Sequence, residues 1–397
     1  MYGYIKVGAA VPRLRLADCI YNREQIVEMA KDAAAKDVRV LTFPELCITG
    51  YTCADLFMQR PLLSAAEIAV SEIVEETKEL DLFLVVGTPV MLDSQQFNCA
   101  VAIYKGEILG IVPKTHLPNY SEFAEERWFS SADDILVDYI NYAGQYVPIG
   151  SDLLFAAVGI PDLKIGIEIC EDLWVPIPPS SYQSLYGATL LLNLSASNEL
   201  SGKADYRRRM VAQHSSSCMA SYVYVSSGIG EATQDAVFSG HAMISENGEI
   251  FVESKRFSRE NELIYADIDL EIITNERRKH TTFLSHLQKA EMHRMYRMVT
   301  FEMEEADSLE NWNRPLTSAP FHPAAGEVDE HCKDIFSIQT AGLARRMEHT
   351  HSDSLVIGIS GGLDSTLALL VCVKACDFLG IDRSHVLGDH ARLRHNR

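Results

Sequence analysis

From Tyr4 to about Leu270, short β-branched runs alternate with long stretches that are polar on one side, and that alternation restricts the chain to a layered α/β fold. The clearest strands are VRVLTFP (38–44), DLFLVVGTPV (81–90), LKIGIEIC (163–170), ATLLLNLSAS (188–197) and YVYVSSG (222–228). Between them NREQIVEMAKDAAAKD, LLSAAEIAVSEIVEETKEL and ADYRRRMVAQHSSSCMA predict helices that cover the sheets. Two hairpins break the alternation, at Lys105-Gly106 and at Asn247-Gly248, the latter a dipeptide suited to positive φ. Mixed sheets are therefore expected, not one parallel sheet.

Past Leu270 the strand pattern ends. NERRKHTTF, HLQKAEMHRMYRM and FEMEEADSLENWNRPLTSAPFHPA are charged and then Pro-bearing, which reads as a connector with some helix. The expected organisation is a domain over 1–275, a connector over 276–330 and a second unit over 331–397. That unit reads as a helix through CKDIFSIQTAGLARRMEH, one strand in SLVIGIS, a loop GGLDS and a helix TLALLVCVKACDFLG.

Charge narrows the partners: 35 Lys and Arg against 55 Asp and Glu give a net charge of -20, which repels phosphate backbones and anionic membrane surfaces. Nucleic acid is not an expected partner. The opening MYGYIKVGAAVPRL carries no charged-then-apolar leader, and no apolar run approaches the ~18 residues of a membrane span, so a cytoplasmic protein is expected. Nine cysteines without a CxxC pair suit neither a disulfide framework nor a zinc site and read as reduced thiols.

Three reactive residues stand just beyond apolar strands, where α/β folds place their chemistry: Glu45, Lys114 and Cys170. A thiol, a carboxylate and an ammonium suffice for acyl transfer, because the carboxylate can take the thiol proton while the ammonium stabilises thiolate and oxyanion. Taken singly, each has a plainer reading as a buried inert thiol or a solvated charge. Glu168, Glu171 and Asp172 flank Cys170 and would raise its pKa if they pointed inward, so a nearby cation becomes necessary.

The contexts FPELCITGY, PKTHLPNYSEFAEERWF and IGIEICEDLW resemble the nitrilase, or carbon-nitrogen hydrolase, superfamily in its order Glu, Lys, Cys. The resemblance implies a nitrilase-like αββα sandwich with mixed sheets, Glu45 as general base, Lys114 as the oxyanion-stabilising ammonium and Cys170 as nucleophile. It also implies Glu125 as a supporting second carboxylate, with Glu122 as the alternative. HLPNY, EICEDLW and LSASNELSGKADYRR are similar to the glutamine-amidase branch of the NAD synthetases. By that likeness Tyr120, Ser197 and Lys203 contact glutamine and Glu171 helps hold its α-amino group. A satisfied loop hydroxyl at Tyr120 or Ser197, and a solvated basic cluster at Lys203, are the plainer alternatives.

VIGISGGLDST, residues 356–366, is not a Walker A loop. Gly361 and Gly362, following Gly358, let a strand turn into a helix with backbone N–H groups facing an anion, and Ser360 and Ser365 add donors. Asp364 suits Mg²⁺ or a helix cap. The segment resembles the pyrophosphate loop of ATP pyrophosphatases, so a partial Rossmann-like unit is expected. An ammonia generator joined to an ammonia consumer resembles the glutamine-dependent NAD synthetase family. That implies glutamine, ATP and deamido-NAD as substrates, ATP and Mg²⁺ for the synthetase reaction, no cofactor for the amidase, and a homo-oligomer; the metal ligands stay unassigned. With one strand before the basic HVLGDHARLRHNR, the synthetase reads as truncated and glutaminase alone is expected. A stand-alone amidase of the same superfamily, or an inactive scaffold, are the competing readings.

Overall fold

The computed structural model describes residues 3–283, 285, 295–305, 312–314, 318, 321–323 and 326–389. It divides into two compact units, Met1–Arg314 and Pro315–Arg397.

In the first unit, β1 (Tyr4–Val11), β2 (Val40–Thr42), β3 (Phe83–Leu92), β4 (Gln95–Tyr104) and β5 (Glu107–Pro113) lie in one sheet. A short hairpin, β6 (Tyr139–Tyr142) and β7 (Gln145–Pro148), forms a two-stranded sheet of its own. The second sheet holds β8 (Leu153–Ala157), β9 (Lys164–Ile169), β10 (Leu190–Ser195), β11 (Ser221–Ser226), β12 (Ala242–Glu246) and β13 (Glu249–Glu253). β14 (Glu262–Asp269) returns to the first sheet, pairing antiparallel with β1 and giving the six-strand order β14-β1-β2-β3-β4-β5. Both sheets are mixed: β1-β2-β3 and β9-β10-β11 run parallel, while β3-β4-β5 and β11-β12-β13 run antiparallel through the two expected hairpins.

Side chains alternate between the two faces of a strand, and central strands such as β3 and β10 are buried on both. Phe83 and Val85 of β3, and Leu190, Leu192 and Leu194 of β10, meet in one core between the sheets. Leu84 and Val86 face the other way, into a core with helices α1 (Cys19–Ala34) and α2 (Arg60–Thr77). On the far side, Leu191, Tyr222, Tyr224 and Met243 share a core with Val211 and Cys218 of α4 (Lys203–Cys218), the helix that follows α3 (Pro179–Leu185). The result is the αββα sandwich.

The segment expected as a connector contributes more than a connector. After α5 (Leu270–Lys279), β15 (Arg297–Phe301) pairs parallel with β8 and gives the second sheet its seventh strand. Arg297 clamps Asp152 with Nε and one terminal nitrogen at 2.8 and 2.6 Å, and Phe301 packs 5.0 Å from Phe83. Its signal was hidden because an edge strand needs few apolar residues, and this one sits amid charges. Trp312 packs 4.6 Å from Tyr4, and Arg314 pairs with Glu246 at 2.7 Å. The remainder of the presumed connector helix, including residues 286–294, lies outside the described residues.

The second unit carries α6 (Val328–Thr350), β16 (Leu355–Gly358), α7 (Leu363–Leu379) and β17 (Val386–Asp389). β17 corrects the single-strand expectation: Val386 to Asp389 run parallel to Leu355 to Gly358, inside the segment read as a basic tail. Gly380 ends α7 in the left-handed region, and Ile381 and Val386 pack with Ala344, Met347, Ala375 and Cys376, so few apolar residues suffice. Among the described residues no helix is long and apolar enough to cross a membrane.

Candidate active site

Glu45, Lys114 and Cys170 converge at the ends of three strands. Phe43 still donates to Val85 O at 2.9 Å beyond β2, and Leu46 at φ +50° then turns the chain so that Glu45 N reaches Ser195 O at 3.3 Å in the opposite sheet. The turn presses on β3 at Gly87, where a Cβ would lie 2.3 Å from Leu46 N and 2.6 Å from Pro44 O. Lys114 follows β5, its N–H on Asn98 O at 2.8 Å. Cys170 follows β9 directly at φ +46°, an uncommon backbone state for a residue with a side chain, and opens a short 3-10 turn.

The Lys114 ammonium is fully buried between two carboxylates, 2.6 Å from Glu45 Oε1 and 2.7 Å from Glu125 Oε1. Asn98 donates to the same Glu45 oxygen at 2.7 Å, and the Tyr51 hydroxyl donates to Glu125 Oε1 at 2.8 Å. Glu45 Oε2 and Glu125 Oε2 are buried with no hydrogen-bond partner. Burial pushes the Glu125 carboxyl up to about 7 against the pull of Lys114. It holds the Cys170 thiol well above its usual value too, with Glu45 adding to the rise and Lys114 opposing it. Cys170 is thus a neutral thiol at rest, beside a carboxylate oxygen able to take its proton and a cation whose third N–H is uncommitted to either acid.

The acids expected to crowd Cys170 do other work. Glu168 faces away, accepting from Tyr222 Oη, Asn193 and Ser180 N. Asp172, pushed up to about 7 chiefly by burial, accepts Ile169 N at 3.0 Å and His116 N at 2.8 Å, tying the thiol's strand end to the loop of Lys114. The negative charge that acts on the thiol comes instead from Glu45 and Glu125.

The four residues expected to hold glutamine each have a partner within the protein. Tyr120 donates to both oxygens of Glu171, at 2.9 and 3.0 Å. Ser197 Oγ accepts from the buried Arg207 at 3.2 Å, and Lys203 bonds Asn198 with its ammonium 5.1 Å from the Trp174 ring. Burial lowers the Lys203 pKa. Glu122, the alternative to Glu125, pairs with Asn198 and not with Lys114. Asn98, Tyr51 and Gly87 had no sequence signal of their own, although Tyr51 closes the quoted FPELCITGY.

In the second unit Gly358 ends β16, Gly361 takes φ +86° and Gly362 caps α7. Ser360 and Ser365 hydroxyls lie 3.2 Å apart, and Asp364 stands exposed in the first helical turn.

Two helix-covered mixed sheets thus bring a buried carboxylate, ammonium and thiol to their strand ends, a set with the groups that thiol-based acyl transfer requires. Residues 7–278 match the carbon-nitrogen hydrolase family, and the chain belongs to it. Residues 335–388 match the NAD synthase family. The glutamine-dependent NAD(+) synthetase of Mycobacterium tuberculosis is 37% identical over 388 residues, covering 97% of this chain and 57% of that protein. That of Thermotoga maritima is 27% identical over 373 residues, 94% of this chain and 58% of that one. The crystal structure of a glutamine-dependent NAD(+) synthetase from Cytophaga hutchinsonii, 24% identical, shares the fold with a TM-score of 0.60 over 96% of this chain and 53% of its own. The chain spans a little over half the length of these relatives.

Proposed function

We propose that the first unit hydrolyses the side-chain amide of glutamine to glutamate and ammonia, and that the second belongs to a synthetase that uses the ammonia, with ATP, to amidate deamido-NAD. The observation that carries the reading is Lys114 locked between Glu45 Oε1 and Glu125 Oε1 while Glu45 Oε2 is left without a partner.

Cys170 Sγ attacks the amide carbon as Glu45 Oε2 takes the thiol proton, and the oxyanion is held by the third N–H of Lys114 and the backbone N–H of Glu171. The C–N bond then breaks as Glu45 returns that proton to the nitrogen, so ammonia leaves and a γ-glutamyl thioester remains. Water, deprotonated by Glu45, attacks the thioester; the C–S bond breaks, the thiol recovers its proton and glutamate departs. Glu171, positioned by Tyr120, suits the α-amino group of the substrate, while Lys203 suits its α-carboxylate and Ser197 adds a hydroxyl.

In the second unit, the N–H groups of Gly361 and Gly362 at the start of a 17-residue helix, with Ser360 and Ser365, fit an anion of the pyrophosphate kind. Gly358 and Gly361 have no atom within 4 Å of where a Cβ would stand, so phosphate can approach the backbone. Asp364 would hold Mg²⁺, whose charge would offset that of the phosphates. Assembly as a homo-oligomer belongs to the same reading.

Glutamate release by the 397-residue chain tests the proposal, with glutamine compared against asparagine and simple aliphatic amides. Preference for glutamine supports it; equal turnover of aliphatic amides favours a general amidase, and no turnover of any favours a scaffold.

A further inference from the structure

Glu231 lies in the loop after β11, 5% exposed, and takes no part in the chemistry above. A carboxylate so placed is costly unless donors surround it. Its oxygens are given to two adjacent residues of the turn that follows Glu45. Oε1 accepts the Tyr51 N–H at 2.8 Å, and Oε2 accepts the Thr52 N–H at 2.9 Å and the Thr52 hydroxyl at 2.5 Å. Thr52 Oγ1 accepts the Ala232 N–H in return, at 2.8 Å. Two segments 180 residues apart are thereby fastened in both directions.

What the clamp holds is a phenol aimed at the site. The Tyr51 ring packs edge-on at 6.4 Å from Phe123 and 6.0 Å from Phe238, and its hydroxyl donates at 2.8 Å to Glu125 Oε1, the oxygen that also receives Lys114 Nζ at 2.7 Å. A continuous series of contacts therefore runs from Glu231 through Tyr51, Glu125 and Lys114 to Glu45. If Glu231 were a loop staple and nothing more, two backbone bonds would serve anywhere in the loop; here they fall on the residue whose side chain enters the ion-pair cluster and on its neighbour.

We infer that Glu231 is a positioning residue of the amidase site, fixing Tyr51 so that its hydroxyl holds Glu125, and through Glu125 the Lys114 ammonium, in the place the reaction needs. The inference rests on the amidase reading and concerns atoms that touch no substrate, so its signature is a loss in kcat with KM preserved.

The test uses the full chain with Tyr51→Phe, Glu231→Gln and the double variant. Glu231→Gln keeps an acceptor for the Tyr51 N–H, and Tyr51→Phe keeps the ring and its packing, so both are expected to fold. Each single variant should lose about 10–100-fold in kcat for glutamine hydrolysis, the scale of one hydrogen bond to a charged group, with KM within about twofold. The double variant should lose no more than the worse single one, because both act through the same contact. Additive losses, or wild-type kcat in Glu231→Gln, overturn the inference. Iodoacetamide labelling of Cys170 against pH, read on the same four proteins, needs no substrate. All three variants should shift that profile alike, whereas four coincident profiles overturn the inference. Wild-type labelling without glutamate release would remove the glutamine reading while leaving the coupling decided by the labelling.

Discussion

Lys114 Nζ and Glu45 Oε1 meet at 2.6 Å with neither side chain exposed, and the same nitrogen reaches Glu125 Oε1 at 2.7 Å, so one buried cation serves two carboxylates. Truncating it leaves two acids in a dry site. Lys114→Met is expected to cost about 3–5 kcal/mol in urea unfolding, the range for breaking a buried pair. It should also move Cys170 labelling by iodoacetamide to higher pH, because the Lys114 charge draws the thiol down. An unchanged labelling profile would contradict the role given to it.

Gly87 is expected to tolerate no side chain. A Cβ there would stand 2.3 Å from Leu46 N and 2.6 Å from Pro44 O, and both are backbone atoms flanking Glu45. Gly87→Ala must therefore push the Glu45 turn off β3, with a stability loss of about 1–3 kcal/mol and a fall in glutamate release of more than about tenfold, as displaced catalytic geometry gives. Wild-type turnover by a folded Gly87→Ala protein would show that Glu45 is not held by this contact.

Acid should destabilise the fold through His241. The ring is fully buried, accepts the Arg207 Nε–H on Nδ1 at 3.0 Å and lies 2.9 Å from Glu253 through Nε2, so it is neutral. Burial, with Arg207 adding to it, lowers its pKa from 6.5 to about 4. Between those values the unfolded chain binds the proton and the folded one does not. The neutral ring's contribution is therefore complete above pH 6.5 and lost as pH falls towards 4, by roughly 3 kcal/mol in total. Glu125 and Asp172, both pushed up to about 7, have the opposite sign and gain stability as pH falls below 7. Comparison with His241→Asn separates the two, because the stability difference between the proteins should narrow from pH 7 to pH 4. Parallel stability curves would refute the assignment.

Glu45, Lys114 and Cys170 were legible because each ends an apolar run, and strand ends are where a layered sheet exposes side chains to a shared cleft. Asn98 was not, since it lies within β4 and gains its meaning from the register that sets it opposite Pro89 beside the Glu45 turn. Sequence adjacency misled at Glu168 and Asp172: the first alternates to the far face of β9, and the second folds back on Ile169 N. β15 and β17 were overlooked for one reason, that short strands at a sheet's margin need little apolar content to pair. Tyr51 and Glu231 depend on a contact across 180 residues, which no local pattern carries.

The bond to the glutamine side chain is expected to form at the Cys170 thiol. Intact-mass spectrometry of the 397-residue chain, acid-quenched during turnover of glutamine, should show a species heavier than the free protein by one glutamyl residue, mapped to Cys170 by peptide fragmentation. That species and glutamate release should both be absent from a Cys170→Ala protein with unaltered circular dichroism. Glutamate release by Cys170→Ala at the wild-type rate, or a glutamyl adduct on another residue, would contradict that expectation.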